Sequence, residues 1–188
     1  MQTYACLYSS TGDFCLAAKR ERGYFFHSGR GGTVSRAGWK LNGGANYALP
    51  GGRLSATESV VDGAHREWLE ETNAAIRPIE TCELRWKNFG AGYFLILPTE
   101  LSEVAIRIDR TVIPEAEGAV ENIRAGVITE YCQVHQIFPD APADNEIKTV
   151  QVWNAASDWG KIEPWKGSDS LGWFYEVLDY LKRELLTL

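Results

Sequence analysis

The stretch GRLSATESVVDGAHREWLEETNA, residues 52–74, decides the fold. Ser59 is a favourable N-cap, and Asp62 three residues later gives a helix start that is similar to a capping box. The residues that follow predict a helix from about Val60 to Thr72. The helix ends before Asn73, which can take the left-handed backbone conformation that often closes a helix. The stretch therefore predicts one helix with a defined beginning and end.

Three carboxylates share one side of this helix. Glu67, Glu70 and Glu71 are spaced i, i+3 and i+4. The apolar Val60 and Ala64 occupy nearly the same sector, which places the carboxylates at the edge of the core face. Like charges at this spacing repel, partial burial raises the cost, and a bound cation would remove it. Oxygen-only ligands suit a hard ion, Mg²⁺ or Mn²⁺. The alternative interpretation is a solvated acidic helix end.

The whole stretch resembles the MutT-like Nudix box, G-x5-E-x7-R-E-U-x-E-E-x-G-U, in which U is an apolar residue. The matching positions are Gly52, Glu58, Arg66, Glu67, Glu70 and Glu71. The box covers Gly52–Ala74 and departs from the pattern at Asn73, where the family usually has Gly. The resemblance implies a Nudix hydrolase, which uses a divalent cation to hydrolyse a nucleoside diphosphate linked to another group. It also implies an α/β (α+β) Nudix fold, a mixed β-sheet sandwiched between α-helices.

The resemblance also implies roles for particular residues. The metal ligands would be Glu67, Glu70 and Glu71, together with the backbone carbonyl of Gly52. Arg66 would orient a box carboxylate through charge-assisted hydrogen bonds.

The general base has several candidates. By resemblance, Glu67 or Glu146 would take the proton from water. Glu146 precedes a segment that ends in Trp, as a catalytic Glu does in many Nudix proteins. Its rivals are Glu130 and Asp144, and the plain alternative for Glu146 is an exposed loop carboxylate.

A Gly-rich insertion occupies about residues 27–46, ahead of the box. It carries the cations Arg36 and Lys40 with the aromatic Trp39. One interpretation is a mobile loop that closes on substrate, in which the cations meet phosphate and the indole stacks on a base. The other is a family-specific excursion rich in flexible glycines.

Other segments give a coarse outline of the rest of the chain. The predicted strands are Tyr4 to Tyr8, Phe14 to Lys19, Tyr47 to Leu49, Cys82 to Trp86, Gly92 to Leu97 and, with a bend, Val127 to Phe138. Pro114 to Arg124 is predicted as a helix, because Pro suits its first position and Gly126 follows its end. An amphipathic C-terminal helix is expected at about 173–186. Its apolar stripe either docks on the sheet or forms a homodimer contact. Residues 1–188 are expected to form a single domain.

Composition narrows the class of protein. The chain has 188 residues, 45% of them hydrophobic and 23% charged, as in an ordinary globular domain. A net charge of −6 argues against general nucleic-acid binding, because phosphate contacts need basic surface. The four cysteines have no C-x-x-C spacing and read as reduced thiols. We find no signal-peptide pattern and no apolar run near ~20 residues, so a cytoplasmic protein without membrane contact is expected.

The sequence thus predicts a Nudix-type pyrophosphohydrolase. Its expected substrate is a small nucleoside diphosphate derivative, either a nucleotide sugar or a nucleoside triphosphate, cleaved at a phosphoanhydride bond with Mg²⁺ or Mn²⁺. The alternative is a non-catalytic Nudix-fold nucleotide sensor or interaction module, which would be expected to lack box carboxylates.

Overall fold

The computed structural model describes residues 1–27 and 31–186. The strands are β1 (Gln2–Tyr8), β2 (Asp13–Lys19), β3 (Arg22–Phe26), β4 (Thr33–Lys40), β5 (Tyr47–Ala48), β6 (Gly51–Arg53), β7 (Glu80–Trp86), β8 (Phe89–Leu95) and β9 (Ile147–Asn154). The helices are α1 (Val60–Thr72), α2 (Pro98–Arg107), α3 (Ile113–Ala125), α4 (Tyr131–Ile137), α5 (Trp159–Ile162) and α6 (Gly172–Tyr180).

The central sheet contains seven of these strands and is mixed. β1 runs parallel to β8, and the remaining pairs are antiparallel: β1 with β2, β1 with β6, β2 with β5, β2 with β9 and β7 with β8. β3 and β4 form a separate two-stranded sheet. The parallel pair needs the long connection that carries α1 between its strands.

Helices cover both faces of the central sheet. Side chains alternate along β1, so Ala5 and Leu7 pack with residues of α1 and α2, whereas Cys6 and Tyr8 pack with residues of α6. The hydroxyl of Tyr93 on β8 also donates to a backbone carbonyl of α6 at 2.8 Å. The predicted α/β (α+β) class, with a mixed sheet sandwiched between helices, is confirmed. The C-terminal helix α6 docks on the sheet, which is the first of the two interpretations of its apolar stripe.

α2 and α3 form one helical segment that is interrupted by a wider turn. The turn is a π-helical stretch at Ile108–Val112, and Pro114 follows it in the first turn of α3. Proline has no backbone N–H, so the hydrogen-bond pattern must change just before it. Gly126 ends α3 in the left-handed conformation, as the sequence predicted.

The Gly-rich insertion is more ordered than a loop. Residues 33–40 form β4, which pairs with β3. Phe25 of β3 is fully buried in a small core made with α3 and α4. The interpretation of this segment as a mobile loop was therefore wrong for β4, because a core remote in sequence holds the hairpin. Residues 28–30, which include Gly29 and Arg30, lie outside the described residues.

A second prediction was also wrong. Residues predicted as a bent strand, Val127 to Phe138, contain α4 instead. Glu130 at its N-cap and Gln133 form a reciprocal capping box, which overrides the strand preference of the apolar residues. Local capping chemistry was thus a better guide here than composition.

All four cysteines are free thiols; Cys6 and Cys15 are buried, Cys82 is partly buried and Cys132 is exposed. Within residues 1–27 and 31–186, no helix has the length and apolar character needed to cross a membrane.

Candidate active site

The site begins where the Gly51–Gly52 strand passes the middle of α1. β6 pairs with β1, and a Cβ atom added to Gly52 would lie only 2.5 Å from a carboxylate oxygen of Glu67. Any larger residue would collide with that carboxylate, so glycine allows the backbone to touch it. Strand and helix therefore meet at Glu67.

Both ends of α1 follow the prediction closely. Ser59 caps the start by accepting from the backbone N–H of Asp62 at 3.0 Å. Asn73 closes the end at φ 46° and ψ 29°. The Asn73 side chain also donates to the carbonyl of Asp140 at 3.1 Å. Sequence reasoning missed this contact, because nothing near Asn73 identifies a partner 67 residues away.

Arg66 connects the carboxylates of the box. Its guanidinium donates to both carboxylate oxygens of Glu58, at 2.8 and 3.1 Å. It also donates to Glu67 at 2.8 Å and to Glu70 at 3.0 Å. The hydrogen bonds from Arg66 hold the pKa of Glu58 below its ordinary value. Arg66 thus fixes the position of three acidic side chains at once.

Glu71 is the most deeply buried of the box carboxylates, with 4% of its surface exposed. It accepts a hydrogen bond from the backbone N–H of Gly51 at 2.9 Å. Burial, followed by the negative charge of Glu146, raises the pKa of Glu71 well above its ordinary value. Burial also raises the pKa of Glu67, which is 8% exposed, although Arg66 opposes the shift. Two carboxyl groups are therefore held where ionisation is costly.

Glu146 reaches the same place from the start of β9. It forms an ion pair with Lys19 of β2, with 2.5 Å between the ammonium nitrogen and the carboxylate oxygen. Both side chains are about one fifth exposed. The sequence pointed to Glu146 but not to Lys19, which becomes its neighbour only because β2 and β9 pair.

Glu71 and Glu146 line a cleft of about 510 Å³, which we call the carboxylate cleft, whereas Glu67 and Glu70 are not among its described lining residues. Its acidic and basic lining residues are Lys19, Glu71, Glu146 and Asp169. The backbone of Gly51 and Gly52 forms one wall, and Tyr4, Tyr47 and Trp173 contribute aromatic surface. The aromatic residues come from three distant parts of the chain, so sequence order gave no signal for them.

A divalent cation fits this donor set by its chemistry. Several carboxylates crowd together, and burial raises the pKa of two of them, so a cation would replace protons and relieve repulsion. The carboxylates are engaged by donors of the protein itself, namely Arg66, Lys19 and the N–H of Gly51. In the described part of the chain, no three His, Cys, Asp or Glu side chains converge as a preformed ligand set.

The two rivals of Glu146 occupy different environments. Glu130 caps α4. Asp144 accepts from the backbone N–H of His27 at 2.6 Å, and its own N–H donates to the carbonyl of Glu70 at 2.9 Å. Burial raises the pKa of Asp144 to about 7, with smaller contributions from Glu70 and Glu146. Asp144 therefore joins the insertion hairpin to the C-terminal turn of α1.

The three residues predicted to bind substrate lie on β4. The guanidinium of Arg36 donates to the carbonyl of Arg124 at the end of α3, at 3.3 and 3.2 Å. Trp39 packs edge-on against Phe26, with ring centroids 5.4 Å apart. Neither residue lines the carboxylate cleft, and Lys40 does not line it either. The loop after β4 does reach the cleft, through Asn42, Gly43 and Asn46.

Comparison with known proteins agrees with this geometry. A model of the NUDIX domain matches residues 4–158, which is most of the chain. The chain belongs to the Nudix family. The predicted recognition is confirmed, and with it the enzyme class, a Nudix-type pyrophosphohydrolase acting on acid anhydrides. No curated protein matches the chain in sequence.

Solved structures with partial likeness include other Nudix proteins. A mutT/nudix family protein from Listeria innocua is 14% identical at a TM-score of 0.48, covering 100% of this chain and 96% of the other. The MutT protein from Methanosarcina mazei Go1 is 20% identical at a TM-score of 0.29, covering 58% and 91%. A bifunctional NMN adenylyltransferase/ADP ribose pyrophosphatase from Francisella tularensis, complexed with AMP and a Mn ion, is 16% identical at 0.32, covering 50% and 26%.

Family membership supports the general activity. Nudix enzymes generally use divalent cations and hydrolyse small nucleotide derivatives in which a nucleoside diphosphate is linked to another group.

Proposed function

We propose that the carboxylate cleft hydrolyses a phosphoanhydride bond in a nucleoside diphosphate derivative, a nucleotide sugar or a nucleoside triphosphate, with Mg²⁺ or Mn²⁺. The observation that carries the proposal is the pair of buried carboxylates, Glu67 and Glu71, set against the Gly51–Gly52 strand. Burying two acids beside each other costs stability unless a cation or proton compensates. A structural role alone would not require such an arrangement.

Four residues would hold the cation: the carboxylates of Glu67, Glu70 and Glu71 and the carbonyl of Gly52. A divalent ion bound there would polarise a phosphate oxygen and lower the pKa of water. Each of the three carboxylates is already tied to a rigid element, by Arg66 or by the N–H of Gly51. This pre-organisation limits the movement that ligation would require.

The remaining polar groups would act on the proton and the phosphate. Glu146 or Glu67 would accept the proton of the attacking water, and both lie next to the other acids of the cleft. Lys19 would offer its ammonium to a phosphate oxygen, because it lines the cleft beside its carboxylate partner Glu146. Arg66 would hold the carboxylates of Glu67 and Glu70 in place through its hydrogen bonds to them.

A product assay tests the proposal. The protein is incubated with Mg²⁺, then Mn²⁺, and a panel of nucleoside triphosphates, nucleotide sugars, dinucleotides and coenzyme A, and products are identified by mass spectrometry. Glu71→Gln keeps the hydrogen-bond acceptor for Gly51 but removes the charge, so we expect kcat to fall by about 100-fold or more. Glu121→Gln, on the exposed side of α3, is the matched control.

Mn²⁺ binding is measured separately by electron paramagnetic resonance. We expect binding in the wild type and in Glu121→Gln, and weaker binding in Glu71→Gln. Turnover that is unchanged in Glu71→Gln would contradict the metal role. Nucleotide binding without any turnover, with either ion, would favour the alternative of a nucleotide sensor.

A further inference from the structure

A second concave surface lies directly beside the carboxylate cleft. This aromatic groove has a volume of about 660 Å³, in the range of small-molecule sites. Gln2, Tyr4 and Trp173 line both the groove and the cleft. The two cavities therefore share one wall, and a ligand of nucleotide size could extend from one into the other.

The groove has the chemistry of a stacking site. Trp86, Phe89 and Trp173 line it, and the rings of Phe89 and Trp173 lie 6.0 Å apart. Trp86 is 45% exposed, an unusual amount of apolar surface for a large side chain at the end of a strand. Flat aromatic surfaces of this kind bind nucleobases by stacking and tolerate different bases.

Two cations stand over rings of the groove. The ammonium of Lys87 is 5.7 Å from the ring centre of Trp86, and that of Lys166 is 5.8 Å from the ring centre of Tyr175. Among the described lining residues, Glu176 is the acidic one. The carboxylate cleft has the opposite balance, since Glu71, Glu146 and Asp169 outnumber Lys19 there. The cleft thus suits a metal ion, whereas the groove suits an anion joined to an aromatic ring.

Lys87 has a positive φ in a tight turn, a backbone conformation that Gly or Asn adopts more easily. It is the first residue of the two-residue turn between β7 and β8, with φ at 28°. Tight hairpin turns favour Gly or Asn at positive φ, and a long side chain there is uncommon. The turn therefore keeps an ammonium group at the rim of the groove at some conformational cost.

We propose that the aromatic groove binds the nucleobase and adjoining phosphate of the substrate whose phosphoanhydride lies in the carboxylate cleft. The proposal rests on the proposed function, and it names the part of the substrate that this enzyme recognises. The base stacks on Trp86 and its neighbours, and Lys87 and Lys166 meet the phosphate. Trp173 and Tyr4 form the boundary between recognition and chemistry.

Binding of AMP, measured by isothermal titration calorimetry without metal, tests the proposal. Ribose 5-phosphate is the matched ligand that lacks the base. We expect AMP to bind the wild type more tightly than ribose 5-phosphate. Trp86→Ala should weaken AMP binding about 10-fold, and Trp86→Phe should recover most of the loss because it keeps a ring.

The lysines are tested with variants that keep the fold. Lys87→Gly removes the ammonium while suiting the positive φ, so the melting temperature should hold or rise as AMP binding weakens several-fold. Lys166→Gln should weaken AMP binding similarly. Lys148→Gln, an exposed lysine on β9 outside both cavities, should leave AMP binding unchanged.

Failure of this inference can be told apart from failure of the proposed hydrolysis. Glu71→Gln should bind AMP as the wild type does, even though its turnover is lost. Equal AMP affinity in the wild type and Trp86→Ala, or equal affinity for AMP and ribose 5-phosphate, would overturn the groove assignment whatever the turnover. If turnover is absent but AMP binding still depends on Trp86, the groove assignment is supported and the proposed hydrolysis is contradicted.

Discussion

Helix α1 and the β3–β4 hairpin lie on the two sides of Asp144, and they differ in where their structure comes from. α1 is capped by Ser59 at its start and by Asn73 at its end, and both caps belong to the stretch itself. The hairpin is held by Phe25 against α3 and α4, nearly a hundred residues later. Local chemistry specifies the first element, whereas a distant core specifies the second.

Removing the core contact of the hairpin is the strongest test of this contrast. Phe25 is fully buried among small and branched residues of α3 and α4, so Phe25→Ala should lower the free energy of unfolding by about 3–5 kcal/mol. Chemical denaturation measures the loss. Hydrogen exchange should rise in β3, β4 and α4 before it rises in α1.

Val127→Ala gives the control for that measurement. Val127 follows α3 in the same region but is 61% exposed, so its truncation should change stability by less than about 0.5 kcal/mol. A loss below about 1 kcal/mol for Phe25→Ala would mean that the hairpin does not depend on this core.

The junction between the two regions should respond to pH. The pKa of Asp144 rises from 3.8 to about 7 in the folded protein. As pH increases through this interval, the unfolded chain ionises and the folded chain does not, so the free energy of unfolding should fall. The slope from one such group is at most about 1.4 kcal/mol per pH unit. Below the lower pKa the two states are equally protonated, and the loss disappears.

Asp144→Asn isolates this contribution. The amide keeps an acceptor for the N–H of His27, so the contact at 2.6 Å can persist. Denaturation of metal-free protein should show a shallower decline between about pH 4 and pH 7 in the variant than in the wild type. Parallel curves would show that Asp144 ionises normally. Glu67 and Glu71, whose pKa values are also raised, supply the decline that remains.

The contrast also explains which parts of the fold could be predicted from the sequence. The box helix carries its own caps, and the C-terminal helix and most strands of the central sheet carry their own periodicity. The strand at residues 33–40 does not, because it lies in a segment whose many glycines and charges resemble a loop until α3 packs against it. In α4, the signal was present but weak, since Glu130 is an unusual cap residue.

The candidate site divides in the same way. Glu67, Glu70 and Glu71 follow from helical spacing, and Arg66 lies within reach of them on the same element. Tyr4, Lys19 and Trp173 reach the cleft from β1, β2 and the start of α6, so they are neighbours only after the sheet has formed. Spacing rules describe one element at a time, and they cannot bring together residues from three.

Arg36 separates the two interpretations of the insertion. If it binds substrate, Arg36→Ala should raise KM more than it lowers kcat. The hydrogen bonds of Arg36 to the carbonyl of Arg124 lead us to expect a stability loss of about 1 kcal/mol with KM unchanged. Thermal unfolding and steady-state kinetics measure both quantities. Arg36→Lys, which keeps the charge at the end of α3, should recover part of the stability.

The smallest expected effect concerns the departure of the box from the family pattern. Asn73→Gly removes a hydrogen bond to Asp140, which contributes about 0.5–1.5 kcal/mol, but relieves a side chain at φ 46°. The two effects oppose each other, so stability should change by less than about 1 kcal/mol and turnover should be preserved. Asn73→Ala loses the hydrogen bond without gaining the backbone freedom, and denaturation should show it as the less stable variant. Both variants lose the contact with Asp140, so the opposite order would mean that the left-handed backbone costs an alanine less than the conformational entropy that a glycine adds to the unfolded chain.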